Sequence, residues 1–271
     1  QINYLGYPGT MGAGFMDYIV ADEVLVPAEY RDGCSEKVIY LPDAYQPNDN
    51  TRTVPETGTS RSDFGLPENG FVFCCFNNLY KISPAEFDVW MRLLRQMEGS
   101  VLWLLAANEW AEANLRKEAV ARGIDEGRII FAGRVSPAEH LARHKHADLF
   151  LDTFNYNAHT TSSDALWCGL PVVTKIGRQF AARVAASLLT AVGLPELITA
   201  NEQEYERLIL ELAADPRGLS EVREKLAHNR TTHPLFDTVR YTRHFEQAMD
   251  QAYDRYLKGL PPEDLRIGVD M

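Results

Sequence analysis

The residues best suited to chemistry lie between positions 152 and 164. That stretch reads Asp152-Thr153-Phe154-Asn155-Tyr156-Asn157-Ala158-His159-Thr160-Thr161-Ser162-Ser163-Asp164, followed by the apolar Ala165-Leu166-Trp167. Consecutive hydroxyl residues before an apolar turn predict a helix over 160–167. A helix start offers unbonded backbone N–H groups and the positive end of a dipole, which together make an anion site that a diphosphate fits. The same residues also allow a plain cap, Thr161 with Asp164 as its box partner, and the two roles use the same donors. Lys81, in the segment Asn77-Asn78-Leu79-Tyr80-Lys81 ahead of another helix, could supply the countercharge. Taken alone, Lys81 reads more simply as a solvated lysine and His159 as a surface histidine.

Other constellations carry less. His140, His144 and His146 include positions four apart on one helix face, but no adjacent carboxylate or cysteine completes the three or four ligands that zinc requires, so no metal is expected. The Gly-rich opening, Gly6 to Gly14, lacks the Gly-Lys-Ser/Thr of a phosphate-binding P-loop. Asp148 and Asp152 flank an apolar run and read as structural.

These loops need a scaffold, and the flanking sequence describes one. Short apolar runs (71–76, 101–105, 129–131, 149–151 and 172–174) alternate with predicted helices from Ser83, near Glu109, from Ser136, over 160–167 and over 179–189. Runs of three to six apolar residues between helices are what a parallel sheet buried on both faces requires, so the fold class is doubly wound α/β. Ser-Pro-Ala-Glu recurs at 83–86 and 136–139 as a capping box with Pro at the first helical position. In such sheets ligands bind beyond the carboxyl ends of the strands, where the loops after 76, 131 and 151 converge. Residues 42–66, rich in Pro, Asn, Asp, Thr and Ser, read as a linker. Further helices are expected over 202–213 and 220–229, and a last one from about Asp237, with Phe245, Met249, Ala252 and Tyr256 on one face. The expected division is 1–60 as the remainder of a first lobe plus linker, 61–215 as a nucleotide-sugar lobe, and 216–271 as C-terminal helices.

Composition sets the outer bounds. The chain has 271 residues, 45% hydrophobic and 24% charged, which are ordinary globular proportions for a large domain or two small ones. Its net charge of -11, without any dense Lys/Arg run, argues against nucleic acid or an anionic membrane as partner. Cys34, Cys74, Cys75 and Cys168 form no CxxC and read as reduced thiols of a cytoplasmic protein. No run is long enough to span a bilayer and no leader is recognised. Strand-like residues directly after Gln1 suggest a fragment.

Several blocks together resemble the catalytic region of protein O-GlcNAc transferases. They are Leu5-Gly6-Tyr7-Pro8-Gly9-Thr10, Phe76-Asn77-Asn78-Leu79-Tyr80-Lys81-Ile82, Leu151-Asp152-Thr153, Asn157-Ala158-His159-Thr160-Thr161, Leu166-Trp167-Cys168-Gly169-Leu170-Pro171-Val172-Val173-Thr174 and Arg183-Val184-Ala185-Ala186-Ser187. The resemblance implies a GT-B fold, two Rossmann-like lobes with the sugar nucleotide between them. It also implies transfer of GlcNAc from UDP-GlcNAc to Ser/Thr hydroxyls of acceptor proteins, with inversion and without a metal or other cofactor. On this chain it gives Lys81 the diphosphate leaving group, with Asn78 helping to hold it. His159, Thr160 and Thr161 would bind the phosphates, His140 would stack on the uracil with Arg143 beside it, Asp164 would reach the ribose, and Pro8 and Thr10 would border the sugar. Tetratricopeptide repeats are expected upstream, as is a histidine near the sugar.

Two departures bear on this. The segment Ser136-Pro137-Ala138-Glu139-His140 lacks a lysine that family members often carry before the uracil-stacking histidine, so one ribose contact is not carried over. Leu151-Asp152-Thr153-Phe154 also resembles the Spindly branch, which uses GDP-fucose. That branch generally lacks the histidine found here at 159 and the aspartate at 164, so UDP-GlcNAc is favoured. A GDP-fucose-dependent transferase, or a non-catalytic nucleotide-sugar-binding module, is the alternative.

Overall fold

The computed structural model describes residues 1–268. Two parallel sheets organise it. The larger contains β4 (Val72–Cys75), β5 (Val101–Leu105), β6 (Ile129–Ala132), β7 (Leu149–Leu151), β8 (Val172–Lys175) and β9 (Ile198–Thr199), in the spatial order β6-β5-β4-β7-β8-β9. The smaller has the order β1 (Ile2–Asn3), β2 (Tyr18–Ala21), β3 (Lys37–Tyr40), β10 (Leu265–Arg266). Residues Val72 to Cys75 and Leu149 to Leu151 are buried at every position, as strands covered on both faces must be.

Helices α1 (Pro84–Gln96), α2 (Glu109–Ala121), α3 (Pro137–Arg143), α4 (Thr160–Trp167), α5 (Val184–Ala191), α6 (Glu202–Ala214), α7 (Pro216–Thr232) and α8 (Thr238–Leu257) complete the chain. Both expected capping boxes form, at Ser83/Glu86 and Ser136/Glu139. In the larger sheet the chain runs outward one way from β4 and then crosses back to β7 to run the other way, so β4 and β7 are the topological switch point.

Some sequence expectations need correction. The helix expected over 179–189 is a 3-10 turn, Phe180–Ala182, followed by α5, and α7 starts four residues earlier than expected, at Pro216, because Asp215 caps it. Strands β2, β3, β9 and β10 are not among the sequence expectations; β9 and β10 are only two residues long and carry no pattern. On α8, Tyr256 leaves the apolar stripe and is 76% exposed, whereas His244 and Ala248 are buried within it. The linker over 42–66 holds no strand or α-helix, yet Ala44, Tyr45, Gln46 and Asn48 are buried.

The two sheets are pinned together near their facing loops. Asp22, buried after β2, accepts from the backbone of Val24, Leu25 and Tyr45 and from the Ser187 hydroxyl of α5 at 2.6 Å. Burial pushes its carboxyl up to about 6 against those donors. Arg183 Nε donates to the Val24 carbonyl at 2.6 Å. The C-terminal chain returns to the first sheet: Tyr241 of α8 bonds the Tyr4 hydroxyl at 2.6 Å and donates to the Tyr45 carbonyl at 2.8 Å, and β10 pairs with β3.

Candidate active site

At the switch point the segments after β4 and β7 lie side by side. Asn77, 1% exposed, stitches them together. Its Nδ2 donates to Thr153 Oγ1 at 2.9 Å and to Asp152 Oδ1 at 3.4 Å, and its Oδ1 accepts from Thr161 Oγ1 at 2.5 Å. Asp152, fully buried, also accepts from Thr153 N, from Ala158 N and from the Thr174 hydroxyl. Burial pushes its carboxyl up to about 7, with those donors and the Lys81 charge opposing. The loop over 152–158 is therefore folded around one buried carboxylate.

Helices α4 and α5 begin differently from the others, without a side-chain cap. On α2, α3, α6, α7 and α8 an N-cap side chain accepts a backbone N–H, and α1 is closed by its box. On α4 the N-cap is His159 and no side chain caps it. The box of Thr161 with Asp164 does not form, because the Thr161 hydroxyl goes to Asn77 and Asp164 pairs with Arg52 at 2.5 Å. The Ser162 and Ser163 N–H groups both reach the His159 carbonyl. Those of His159, Thr160 and Thr161 have no partner among the described residues. Unsatisfied donors at a helix start are the physical makings of an anion site.

Lys81 stands next to it. The 3-10 turn Leu79–Lys81 sends its ammonium to the Asn157 carbonyl at 2.9 Å and 4.0 Å from the centre of the Tyr156 ring. Burial draws its pKa below the ordinary lysine value, with the Asp152 charge pulling the other way. Among the described residues it makes no ion pair within salt-bridge distance, so two of its three N–H donors stay open. His159 stacks on the same Tyr156 ring, centroids 4.8 Å apart at 21°, and its Nε2 lies 3.3 Å from the Ala181 carbonyl. Burial, then the nearby Lys81 charge, bring its pKa down to about 4, so the imidazole is neutral at pH 7 with the Nε2–H donating to Ala181. Asn78, at the start of the Leu79–Lys81 turn, is exposed.

His140 and Arg143 form a second cluster on α3, around Phe76. Arg143 Nη2 donates to His140 Nδ1 at 2.5 Å and Nη1 to the Gly133 carbonyl at 2.8 Å, while the guanidinium lies 4.6 Å from the Phe76 ring centre. Arg143 is 2% exposed, with burial pulling its pKa down to about 10. His140 is half-buried and neutral, brought down to about 4 by burial and then by Arg143. His144 packs edge-on against it at 4.9 Å.

Two openings border the site. A cleft of about 550 Å³ is lined by Pro8 and Thr10 on one side and Tyr156 and Ala181 on the other. The Thr10 hydroxyl donates to Glu36 at 2.6 Å, which holds the Gly-rich loop in place. A second opening, about 310 Å³, is lined by Leu5, Gln46, Arg52, His159, Thr160 and Asp164. The structure thus brings Lys81, His159 and Thr161 into one cluster, puts Pro8 and Thr10 across the cleft, sets Thr160 and Asp164 in the second opening, and keeps His140 and Arg143 around Phe76. Sequence reasoning missed Tyr156 and Arg52. An aromatic in an otherwise polar loop was the available signal for the first, and nothing in the linker pointed to the second.

Comparison with known proteins decides the family. A profile of glycosyl transferase family 41 matches residues 1–57 and 48–245. The chain belongs to glycosyl transferase family 41. It is 37% identical over 273 residues to the probable UDP-N-acetylglucosamine--peptide N-acetylglucosaminyltransferase SEC of Arabidopsis thaliana, covering 98% of this chain and 28% of that protein. It is 41% identical over 203 residues to the UDP-N-acetylglucosamine--peptide N-acetylglucosaminyltransferase of Caenorhabditis elegans, covering 75% of this chain and 18% of that one. A solved structure of a mutant Thermobaculum terrenum O-GlcNAc transferase superposes with a TM-score of 0.81 at 29% identity, over 94% of this chain and 48% of that one. The architecture is GT-B, as the resemblance implied. This family 41 chain spans less than a third of the length of these curated relatives.

Proposed function

We propose that this chain is the nucleotide-sugar-binding part of an inverting glycosyltransferase that moves GlcNAc from UDP-GlcNAc to Ser/Thr hydroxyls of proteins, without a metal. Residues 61–215 form the nucleotide lobe in this reading, and the full-length protein carries helical repeats ahead of it. The observation that carries the proposal is the uncapped start of α4 beside an ammonium that has no carboxylate partner among the described residues. An isolated cation and three open N–H groups fit a diphosphate, and the family's named relatives act on UDP-N-acetylglucosamine.

The chemistry follows from the charge that develops. As the acceptor hydroxyl oxygen bonds to the anomeric carbon and the bond from that carbon to the β-phosphate oxygen breaks, the hydroxyl proton passes to a base of the full-length protein and negative charge grows on the diphosphate. Lys81 and the N–H groups of His159, Thr160 and Thr161 meet it there, stabilising the transition state more than the bound donor. In this reading Asn78, exposed at the start of the Leu79–Lys81 turn, adds a donor. The neutral His140 ring takes the base, Arg143 orients that ring through its Nδ1 contact, and Asp164 receives the ribose hydroxyls. Pro8 and Thr10 border the sugar across the cleft.

The test is incubation of full-length protein with UDP-GlcNAc and a peptide library, read by mass spectrometry, with calorimetry of UDP against GDP. A GlcNAc mass increment that survives chelation of divalent cations, with tighter binding of UDP, is expected. A preference for GDP would transfer the assignment to a fucosyl donor. Tight UDP binding without any increment would make the chain a regulatory module.

A further inference from the structure

One side chain with no assigned role touches two of the residues that the proposed function gives to the diphosphate, Lys81 and His159. Tyr156 lies in the loop between β7 and α4, half-buried. Its ring centre is 4.0 Å from Lys81 Nζ and 4.8 Å from the His159 ring centre, and it borders the cleft opposite Pro8 and Thr10. The backbone on either side is locked. The Tyr156 carbonyl accepts from Thr153 Oγ1 at 2.6 Å, the Asn157 N–H donates to the Ala181 carbonyl at 2.9 Å, and the Asn157 carbonyl accepts a hydrogen bond from Lys81 Nζ at 2.9 Å.

We propose that Tyr156 is a positioning residue for transfer: the face of its ring fixes where the Lys81 ammonium and the His159 ring stand when the leaving diphosphate arrives. The proposal rests on the UDP-GlcNAc reading above. Its physical reason is a choice between two ways of holding a lysine. A carboxylate would fix the ammonium but also neutralise it and compete with the phosphate. An aromatic face attracts the cation through its quadrupole, uses none of its N–H donors, and leaves the full charge for the ligand. Without that face the ammonium keeps only the Asn157 carbonyl as a hydrogen-bonded anchor among the described residues, and a long flexible side chain on one anchor wanders. The same stacking covers one face of the His159 imidazole, which burial and the nearby Lys81 charge keep neutral, and leaves its backbone N–H at the helix start.

The experiment compares wild type, Tyr156→Phe and Tyr156→Met in the full-length protein. Methionine has a similar reach without a π face. Steady-state kinetics give kcat and the KM for UDP-GlcNAc, NMR follows the titration of the His159 imidazole and Lys81 ammonium, and thermal melting runs alongside. Phe should stay within about twofold of wild type, whereas Met should lose roughly tenfold in kcat with a smaller change in KM, as expected from removing one desolvated cation–π contact. The His159 titration should move up towards the ordinary imidazole range in Met alone. Wild-type kinetics in Met, or equal losses in Phe and Met, would overturn the proposal. Should wild type neither bind UDP nor transfer, the function assigned above falls by itself, and unchanged His159 and Lys81 titrations in Met would then overturn the ring's role separately. If Met fails to fold, Tyr156→Leu is read the same way, and unfolding of both would make Tyr156 a residue of stability and refute its positioning role.

Discussion

Replacing Asn77 by alanine tests how the loop after β7 is held. The amide is 1% exposed and makes two short hydrogen bonds, from Thr161 at 2.5 Å and to Thr153 at 2.9 Å, with a longer one to Asp152 at 3.4 Å. Two good buried bonds at ~1 kcal/mol each, plus about 1–3 kcal/mol for leaving a buried partner unsatisfied, give a loss of about 3–5 kcal/mol. Thr153 keeps its bond to the Tyr156 carbonyl, so the loop loosens without being released. Urea denaturation should show the midpoint falling with the slope unchanged, and UDP affinity should fall too because Thr161 no longer fixes the start of α4. Asn77→Asp sharpens the test. It keeps the acceptor for Thr161 but removes both donors and puts a second carboxylate beside Asp152. Its loss should equal or exceed that of alanine at pH 8 and shrink on acidification, as the introduced carboxyl, its folded pKa raised, takes up a proton. A change below about 0.5 kcal/mol in Asn77→Ala, the range of an ordinary surface substitution, would mean that Asn77 does not hold the loop.

Three further outcomes are expected. Lys81→Met should cost roughly 100-fold or more in kcat, as loss of a transition-state charge partner does, and an unchanged rate would remove Lys81 from the mechanism. Burial holds His140 and His159 down to about 4 and His144 down to about 3, against 6.5 unperturbed, so the stability they contribute is complete above about pH 6.5 and is lost as pH falls through 4. Asp152, raised to about 7, and Asp22, raised to about 6, act in the opposite sense: their contribution is complete below about 3.8 and is lost as pH rises through 6 to 7. With three imidazoles against two carboxyls, urea midpoints should fall between pH 6.5 and 4.5, and His159→Gln should lessen that fall. Arg52→Ala should cost only about 1 kcal/mol, because the pair with Asp164 is partly exposed, while Asp164→Ala should weaken UDP binding about tenfold through lost ribose contacts. Equal UDP affinity in Asp164→Ala and wild type would detach that residue from the nucleotide.

The sequence was most informative where burial and capping speak locally. Fully apolar runs such as Val72–Cys75 and Leu149–Leu151 are legible because a doubly covered strand tolerates no polar position, and the two Ser-Pro-Ala-Glu boxes mark helix starts by their own hydrogen bonds. The predicted 160–167 helix agrees with α4 at both ends. What stayed hidden depends on partners distant in the chain. Short strands β9 and β10 exist only through pairing with β8 and β3. Of the neighbours Asn77 and Asn78, one is buried and knits the site together while the other is exposed, and no local pattern separates them, since β4 is covered on both sides and shows no alternation. Arg52 meets Asp164 across 112 residues, and Tyr156 gains its role only once Lys81 arrives from 75 positions earlier.

A crystal structure of the protein with UDP would locate the diphosphate. The β-phosphate should lie within hydrogen-bond distance of Lys81 Nζ and of the Thr160 and Thr161 N–H groups, with the uracil against His140. A nucleotide bound away from the start of α4, its phosphates out of reach of Lys81, would contradict this placement.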